Sequence, residues 1–465
     1  MEKALNVRLV HRAALVAVGV ALAGVLSACL VITTEVLPTM YTNTPVSFPM
    51  EGSSENPPLQ WSATGLPSGL MIKKTTGVIS GTPTTAGTYS VTVSVTDAKG
   101  IVQSKAYSLK VEATGARLLA VNGNHSCAIL TKGTVRCWGY NSNGQLGNGD
   151  RVDYSVPVSV VGLTNPTSMG LGFDHSCALK SGGVLCWGDN YAGELGNGTF
   201  TDSLTPVPVS GISGATELGV GYNHACVILS GGTAKCWGGN LRRQLGSGST
   251  VTSSSTPVTV SGLSGASKIA TGVNHTCVIV GGGAVKCWGA NASGQLGNGS
   301  TTDSAVPVSV IGISDAVGLA TGSAFTCARL SGGTVKCWGR NGSYELGTGN
   351  AKNSLVPIPV SGLTGAVEIA VGKAHACART SSGTVRCWGL NSFGSVGDGT
   401  TNSAPLPITI TGASGATALN LGQDHTCALM GDGSVKCWGW NSYGQVGNAT
   451  FVNARTPVSV YGLIP

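Results

Sequence analysis

The chain has 465 residues, more than one hydrophobic core usually serves, so at least two domains are expected. Glycine accounts for 71 residues and charged residues for only 10%, which favours short strands and tight turns and excludes a chain of long solvated helices. The net charge of +7 is scattered along the chain, so no basic patch suggests nucleic-acid binding.

The N-terminal segment has the pattern of an export signal. Basic residues precede an apolar run from Ala13 to Val25, which is too short to span a bilayer and suits the core of a signal peptide. The run ends in LSAC, which resembles the bacterial lipobox and implies a signal peptide at 1–28, lipidation of Cys29 and a tether at 29–32. Leu30 is not the Asp that favours inner-membrane retention, so we expect an outer-membrane or cell-surface anchor. An ordinary secretory leader is the alternative.

Residues 33–115 form a separate segment that contains no cysteine. It carries GLPSGL at 65–70, GVISGTP at 77–83 and SVTVSVTD at 90–97, whose strict alternation indicates a half-buried strand. These elements resemble the cadherin-like, Ig-like domains of bacterial surface proteins. The resemblance implies a small β-sandwich that serves as a spacer, and no group of carboxylates in it suits a calcium site.

Residues 116–465 consist of seven copies of one repeat of about fifty residues. Each copy contains a Cys-Trp-Gly triplet. One period is predicted to form four short strands, at 156–160, 167–171, 175–179 and 184–187, which match one blade of a β-propeller. The tryptophans of the triplets are Trp138, Trp187, Trp237, Trp288, Trp338, Trp388 and Trp438.

The two ends of this region suggest how the propeller closes. The first copy lacks the P-V-x-V strand that opens the other periods, whereas the chain ends on an additional one at 456–463. We therefore predict that the C-terminal strand pairs with the first blade and completes it, which would remove exposed strand edges. The fold class predicted for the whole chain is all-β, an Ig-like sandwich followed by a seven-bladed propeller.

Fourteen of the fifteen cysteines occur as pairs about ten residues apart. Each pair brackets a turn sequence such as Lys132-Gly133, so the partners should face each other across a β-hairpin at a separation that a disulfide accepts. Disulfides require an oxidising compartment, in agreement with the export signal. Metal binding together with neighbouring histidines is the alternative, but no metal or cofactor is expected. The predicted disulfides are Cys127–Cys137, Cys177–Cys186, Cys226–Cys236, Cys277–Cys287, Cys327–Cys337, Cys377–Cys387 and Cys427–Cys437.

The repeat unit is recognisable. Its pattern is G-x-x-H-[ST]-x-A-L followed by V-x-C-W-G-x-N-x-x-G-Q-L-G, as at 175–179 and 287–297, and it resembles the regulator-of-chromosome-condensation repeat. The resemblance covers about three quarters of the chain and implies a seven-bladed propeller. The cysteine pairs depart from the family pattern and resemble an adaptation to export, which argues against the nuclear role of the family's namesake.

Residues common to all copies are interpreted as scaffold. The tryptophans should form the core between blades. The histidines of the G-x-x-H loop should be buried and hydrogen-bonded, because Phe325 fills the same position in the fifth copy. Only Asp150, Asp189, Glu194 and Glu345 are acid–base candidates near the loops, and no catalytic triad or phosphate loop is present, so no enzyme is expected. The histidines are His125, His175, His224, His275, His375 and His425.

Positions at which the copies differ are the candidates for function. The G-x-x-H and W-G-x-N-x-x-G loops should leave the same end of each blade, so that one face of the propeller carries both. Their variable residues are rich in aromatics and arginine, residue types that are enriched in protein-binding hot spots. The predicted partner-binding residues are Tyr140, Phe173, Tyr191, Tyr222, Arg242, Arg340, Phe393, Trp440 and Tyr443.

The sequence therefore predicts a monomeric, surface-anchored binding protein that recognises a protein or glycan through its loop face, without catalysis and without nucleic acid. One alternative is an inhibitor of a secreted hydrolase, because secreted bacterial relatives of this fold inhibit β-lactamases through such a face. Others are guanine-nucleotide exchange on a small GTPase, which the family's namesake implies, and a sugar-processing enzyme.

Overall fold

The computed structural model describes residues 30–42, 45–112 and 115–463. The predicted signal peptide at 1–28 and the predicted lipidation site Cys29 lie outside the described residues. The chain folds as two compact units, the first including Pro45–Thr82 and Thr88–Lys110 and the second including Val111–Pro465. In the described ranges, no helix has the length and apolar character needed to cross a membrane.

The described residues from 30 to 112 form strands in three sheets with the orders β2-β9-β8-β5, β3-β7-β6 and β1-β4. The strands are β1 (Val31–Ile32), β2 (Met40–Tyr41), β3 (Val46–Pro49), β4 (Gly52–Ser53), β5 (Gln60–Thr64), β6 (Leu70–Ile72), β7 (Val78–Gly81), β8 (Gly87–Thr96) and β9 (Val102–Glu112). Val91, Val93 and Val95 of β8 are buried, and Trp61 of β5 lies opposite Val95, so the alternation in the sequence does mark a half-buried strand. The Ig-like fold predicted for this segment is confirmed.

The turn after β8 is organised by Asp97. Its Oδ1 accepts hydrogen bonds from the backbone N–H groups of Lys99 and Ile101, at 2.9 and 3.0 Å. Its Oδ2 accepts bonds from Ser54 and Asn56, at 3.2 and 3.3 Å. The carboxylate that ends the T-D element therefore holds a turn together.

The second unit consists of seven four-stranded antiparallel sheets, each made of strands consecutive in sequence and numbered here as blades one to seven. The first, innermost strands are β10 (Ala116–Asn122), β14 (Ser168–Leu171), β18 (Ala215–Val220), β22 (Ala266–Thr271), β26 (Ala316–Thr321), β30 (Ala366–Val371) and β34 (Ala416–Leu421). The second strands are β11 (His125–Leu130), β15 (His175–Lys180), β19 (His224–Leu229), β23 (His275–Val280), β27 (Phe325–Leu330), β31 (His375–Thr380) and β35 (His425–Met430).

The remaining two strands of each blade complete the sheet outward. The third strands are β12 (Thr134–Gly139), β16 (Gly183–Gly188), β20 (Ala234–Gly239), β24 (Ala284–Gly289), β28 (Val335–Gly339), β32 (Val385–Gly389) and β36 (Val435–Gly439). The fourth strands are β13 (Tyr154–Thr164), β17 (Ser203–Pro208), β21 (Ser253–Thr259), β25 (Ser304–Ser309), β29 (Ser354–Pro359), β33 (Ala404–Thr409) and β37 (Ala454–Ser459). A short 3-10 turn, Gly281–Gly283, joins β23 to β24.

All seven predicted disulfides form, each across the hairpin of a second and a third strand. Cys127 lies directly opposite Cys137 in the antiparallel ladder, and the other pairs have the same register. Their Cα atoms are 4.0 to 4.1 Å apart. The hairpin turn uses a glycine with positive φ, for example Gly133 at 84° and Gly433 at 84°, a backbone conformation that L side chains rarely adopt.

The predicted mode of closure is wrong. The C-terminal strand β37 pairs with β36 of blade seven, with Val458 opposite Cys437, and not with the first blade. Blade one is already complete, because β13 pairs with β12. Each P-V-x-V strand folds back onto the Cys-Trp-Gly strand that precedes it, which closes a shorter loop than a return across the ring would.

Blades seven and one nevertheless meet through the bonds that join other neighbouring blades. The backbone N–H of Ala116 donates to the carbonyl of Gly433 at 2.8 Å, and that of Gln423 donates to the carbonyl of Gly123 at 3.0 Å. The indole of Trp138 donates to the carbonyl of Gln445 at 2.9 Å. The ring of blades therefore closes by packing of whole blades.

The seven tryptophans form the core between blades, as predicted. All are fully buried. Each indole Nε1–H donates to a backbone carbonyl in the W-G-x-N loop of the preceding blade, as Trp187 does to Gln145 at 2.8 Å. An indole at an apolar interface needs such an acceptor, so the same bond repeats around the ring.

Candidate binding face

The two loops of each blade lie at the same end, as predicted. In every blade, the backbone N–H of the residue after the Cys-Trp-Gly triplet donates to the carbonyl of the residue before the histidine, or before Phe325 in blade five. Examples are Tyr140 to Asn124 at 3.0 Å and Trp440 to Asp424 at 2.8 Å. We call the surface formed by these loops, 122–125 and 139–154 in blade one and their equivalents in the others, the loop face.

The asparagine of the W-G-x-N loop makes this surface rigid. In blade seven, Asn441 Oδ1 accepts the N–H of Val446 at 2.8 Å. Its Nδ2 donates to the carbonyls of Thr450 and Val452, both at 3.0 Å. The side chain thus satisfies backbone groups on both sides of a loop that would otherwise depend on water, and it presents the variable residues in fixed positions.

Four of the nine predicted binding residues form one continuous group across blades six, seven and one. Phe393 stacks on Trp440 with ring centroids 5.5 Å apart, and Trp440 meets Tyr443 edge to face at 5.3 Å. Tyr443 contacts Tyr140 at 4.7 Å. We call Phe393, Trp440, Tyr443 and Tyr140 the aromatic cluster. Such contacts hold rings in fixed orientations, which reduces the entropy lost when a partner binds.

The other aromatic residues are placed differently. Phe173 and Tyr222 stack on each other, with centroids 4.1 Å apart and planes at 13°, on blades two and three. Tyr191 is 87% exposed and has no aromatic neighbour among the described residues. The predicted set is therefore one cluster of four rings, one pair and one isolated tyrosine.

The two predicted arginines do not join the aromatic cluster. Arg242 lies 3.6 Å from Asp303 of the next blade, and Arg340 lies 3.3 Å from Glu345 in its own loop. The predicted face of mixed aromatic and basic residues is thus divided, with the aromatics concentrated on one side of the ring and these cations paired with carboxylates.

The repeat sequence and the propeller are matched by known proteins. Seven segments match the family described as "Regulator of chromosome condensation (RCC1) repeat", and longer overlapping matches extend from residue 132 to 429. The chain belongs to the RCC1 repeat family. Residues 29–112 match the family described as "Putative Ig domain". The seven RCC1 segments are 117–145, 167–194, 216–244, 266–295, 316–345, 366–395 and 416–445.

Solved structures show the same fold. Human WBSCR16 is 21% identical with a TM-score of 0.65, and the match covers 70% of this chain and 94% of that one. Yeast RCC1 (Prp20) bound to Kap60 is 19% identical with a TM-score of 0.62, over 75% of this chain and 85% of that one. Prp20p from Saccharomyces cerevisiae is also 19% identical, with a TM-score of 0.63 over 75% and 87%. At these identities the comparison establishes the RCC1 fold alone.

The histidine of the RCC1 repeat joins neighbouring blades. In five blades its Nε2 lies 2.8 to 2.9 Å from a Ser or Thr hydroxyl of the next blade, as His125 does from Ser176. That hydroxyl donates to a backbone carbonyl, Ser176 to Gln145 at 2.8 Å, so we infer the neutral tautomer with Nε2 protonated. In blade five Phe325 replaces the histidine, and the residue of blade six at the position of the hydroxyl is Ala376.

His175 is the exception to this pairing. The corresponding residue of the next blade is Ala225, and the buried Nε2 of His175 has no hydrogen-bond partner among the described residues. The sequence contains this signal, since Ser or Thr follows the histidine, or Phe325 in blade five, wherever the blade supplies a hydroxyl, and Ala follows in blades three and six.

A carboxylate group in blade two was not recognised as a unit from the sequence. Asp174 occupies the position before the histidine, and Glu194 replaces the Gln of the G-Q-L-G sequence. Burial, together with Asp189, raises the pKa of Asp174 to about 6. The pKa of Glu194 is raised to about 7, mainly by burial and to a smaller extent by the negative charges of Asp189 and Asp202. A comparison with the copies that have Asn before the histidine and Gln in the G-Q-L-G sequence could have revealed these carboxylates from the sequence.

The other acid–base candidates serve the loops. Asp150 accepts bonds from Asn141, Asn148 and Tyr154, at 2.9 to 3.0 Å. Glu345 is paired with Arg340. Within the described parts of the chain, no group of three or more His, Cys, Asp or Glu is arranged to hold a metal ion.

Replacing Glu194 by Gln is expected to stabilise the protein above pH 7. Glu194 is 1% exposed, and its Oε2 accepts the N–H of Ala192 at 2.8 Å, the bond that Gln295 makes with Ser293 at 2.9 Å. Because the pKa of Glu194 in the folded chain is raised, the protonated side chain keeps its full contribution to the unfolding free energy below about pH 4.5. This contribution is lost as the pH rises through about 7. Glu194→Gln should therefore gain about 2–3 kcal/mol at pH 8 and little at pH 4.5.

Thermal or denaturant unfolding at the two pH values measures this gain. Glu345→Gln is the matched control, because it makes the same change in a loop where the carboxylate is paired with Arg340, and no gain is expected. An equal gain in both variants, or a gain that does not depend on pH, would contradict the proposed role of charge burial.

Proposed function

We propose that the protein is a surface-anchored, monomeric binding protein whose loop face docks a protein partner through the aromatic cluster, without catalysis. The RCC1-type propeller provides the protein-binding scaffold. The observation that carries the proposal is the continuity of Phe393, Trp440, Tyr443 and Tyr140 across three blades. Contiguous, pre-ordered aromatic rings on a rigid surface are typical of protein-binding hot spots.

Comparison of the repeats supports a role of the aromatic cluster in recognition and not in maintaining the fold. Blade four has Ala290 and Ser293 where blade seven has Trp440 and Tyr443, and it forms the same loop with the same asparagine bonds. The scaffold therefore does not require aromatic rings at these two positions. Their presence in neighbouring blades is consistent with selection for a partner.

The proposed location rests on the sequence. The leader and Cys29 support a lipid anchor at the outer membrane or cell surface, and the seven disulfides agree with an oxidising compartment. The Ig-like unit would then act as a spacer. The structure of Prp20p was reported with its binding properties to Gsp1p and histones, but this chain is 19% identical to it and carries disulfides that suit export. Guanine-nucleotide exchange is therefore less well supported than recognition at the cell envelope.

The test is capture of partners from envelope fractions of the host and of neighbouring cells, with purified protein as bait. The cluster variant carries Trp440→Ala and Tyr443→Ser, the residues of blade four, so the fold should be retained. Proteins retained by the native chain are expected to lose affinity by about a hundredfold or more with this variant, as for hot-spot residues.

The matched control carries Phe200→Ser and Tyr461→Ser, two exposed aromatic residues outside both the cluster and the predicted binding set. This control is expected to retain the same proteins with native affinity. The proposal fails if the cluster variant recovers the same partners as the native chain. Capture of polysaccharide in place of protein would instead identify the other class of ligand considered above.

A further inference from the structure

The central channel of the propeller contains a cavity of about 480 Å³ that opens on the loop face. It is lined by the ends of the innermost strands of blades four to seven and by parts of blades one and three. The volume lies in the range of small-molecule sites, roughly 300–1,000 Å³. The sequence did not indicate this cavity, since its lining comes from strands about fifty residues apart in the chain.

Two residues of the lining depart from the repeat. The position opposite the first cysteine of each blade is Ala or Gly in six blades, for example Ala270 opposite Cys277, but it is Asn420 in blade seven. Asn122, in the neighbouring blade, replaces the glycine of the G-x-x-H loop and also lines the cavity. Two amides therefore stand where the scaffold otherwise uses the smallest residues.

The two amides differ in their bonding. Asn122 is used by the protein, because its Nδ2 donates to the carbonyl of Leu171 at 2.7 Å and its Oδ1 accepts the N–H of Gly123 at 2.8 Å. The side chains of Asn420 and Gln423, as well as the hydroxyl of Thr321, have no intramolecular hydrogen bond in the described part of the chain. These half-buried donors and acceptors face a cavity without protein partners, which is costly unless water or a ligand satisfies them.

The charge of the cavity is positive. Among the described residues that line the cavity, one has a charged side chain, Lys373, which is exposed at the mouth. Asp424 of blade seven, whose charge interacts with that of Lys373, is buried and does not line the cavity. Ile269, Leu319, Ile369 and Leu419 provide an apolar wall below the mouth. The cavity thus offers an ammonium group, free amides and hydroxyls, and an apolar surface.

We infer that the central channel is a binding site for a small anionic sugar, with its carboxylate at Lys373 and its hydroxyl groups at Asn420, Gln423 and Thr321. Amides and hydroxyls match a ligand that carries many hydroxyl groups, and the apolar faces of a sugar ring can pack on aliphatic side chains. A lysine at the mouth favours the acid over the neutral sugar. The site is separate from the aromatic cluster and does not depend on the proposed protein partner.

The experiment is isothermal titration of the purified chain with D-glucuronate and with D-glucose. The native protein is expected to bind one D-glucuronate and to prefer it to D-glucose. Asn420→Ala, which restores the residue of blades one, four, five and six, should weaken glucuronate binding about tenfold, a change of about 1.4 kcal/mol. Lys373→Ser, which copies Ser323 of blade five, should remove the preference for the acid.

Lys352→Ser is the control, because it removes a cation on the loop side of blade five that does not line the cavity, and binding should be unchanged. A free sugar acid and the end residue of a glycan offer the same chemical groups, and a glucuronate trimer distinguishes them. If the trimer binds with equal affinity, the ligand is the end residue of a glycan. If affinity is lost, the ligand is the free sugar acid. The inference is overturned if glucuronate does not bind the native chain, or if both cavity variants bind it as the native chain does.

Discussion

Reduction of the seven disulfides is expected to prevent the propeller from refolding. Each bridge closes a loop of about ten residues, which stabilises the folded chain by about 2–3 kcal/mol in the chain-entropy model. Seven such terms amount to about 14–21 kcal/mol if they add, and even with incomplete additivity they are comparable to the whole net stability of about 5–15 kcal/mol that is typical of folded proteins. The cysteines are fully buried, so a reductant should reach them only after the blades open.

The measurement compares two refolding reactions. Protein unfolded in guanidinium chloride without reductant should recover native tryptophan fluorescence on dilution, whereas protein unfolded and diluted with dithiothreitol should not. Removal of one bridge by Cys277→Ala with Cys287→Ala should lower the unfolding free energy by about 2–3 kcal/mol and leave the chain folded. Full recovery of the reduced protein would show that the blade cores suffice and that the disulfides have another purpose.

Acidification is expected to unfold the propeller steeply between about pH 6 and pH 4. Burial lowers the pKa of five histidines to about 3 and that of His275 to about 4. Below the unfolded-state value of about 6.5, the unfolded chain binds these protons and the folded chain does not, so stability is lost as the pH falls. Six histidines give a limiting slope of about 8 kcal/mol per pH unit. Asp174 and Glu194, whose pKa values are raised by burial, oppose part of this loss.

The slope of the unfolding free energy against pH measures the number of protons involved. His175→Phe is the informative variant, because His175 Nε2 lacks a partner and Phe325 already packs in the equivalent position. It should remain folded and bind one proton fewer on unfolding. A stability that is constant down to pH 4 would show that the histidines are protonated in the folded chain, which would require hydrogen-bond partners that the described residues do not provide for Nδ1 of His125, His224, His275 and His425.

The repeat determined much of the fold because its signals are local. Cys127 and Cys137 bracket one turn, so their pairing follows from the hairpin alone. The positions of the tryptophans and of the G-x-x-H loop could be predicted for the same reason, since each copy repeats the same hairpin contacts. The predicted closure was wrong because the P-V-x-V strand can be assigned either to the blade before it or to the blade after it with the same period. Only the pairing of Val458 with Cys437 decided between these two assignments.

The candidate site depended on contacts between copies. Tyr140 and Tyr443 are about three hundred residues apart and touch because the ring brings blade seven back to blade one. Arg340, which the composition of its loop placed in the binding set, is instead paired with Glu345. Pairing of this kind depends on side-chain geometry in three dimensions, which the order of residues does not contain.

The sequence by itself determined the seven blades, their disulfides, the tryptophan core and the end of each blade that carries the variable loops, because these features arise within one period of about fifty residues. Only the tertiary structure decided which variable residues act together: the aromatic cluster, the buried carboxylates of blade two and the amides of the central cavity. The physical reason is that the aromatic cluster and the cavity bring together residues of different blades, and the carboxylates bring together residues of two different loops, so their distances are set by how the loops and blades pack.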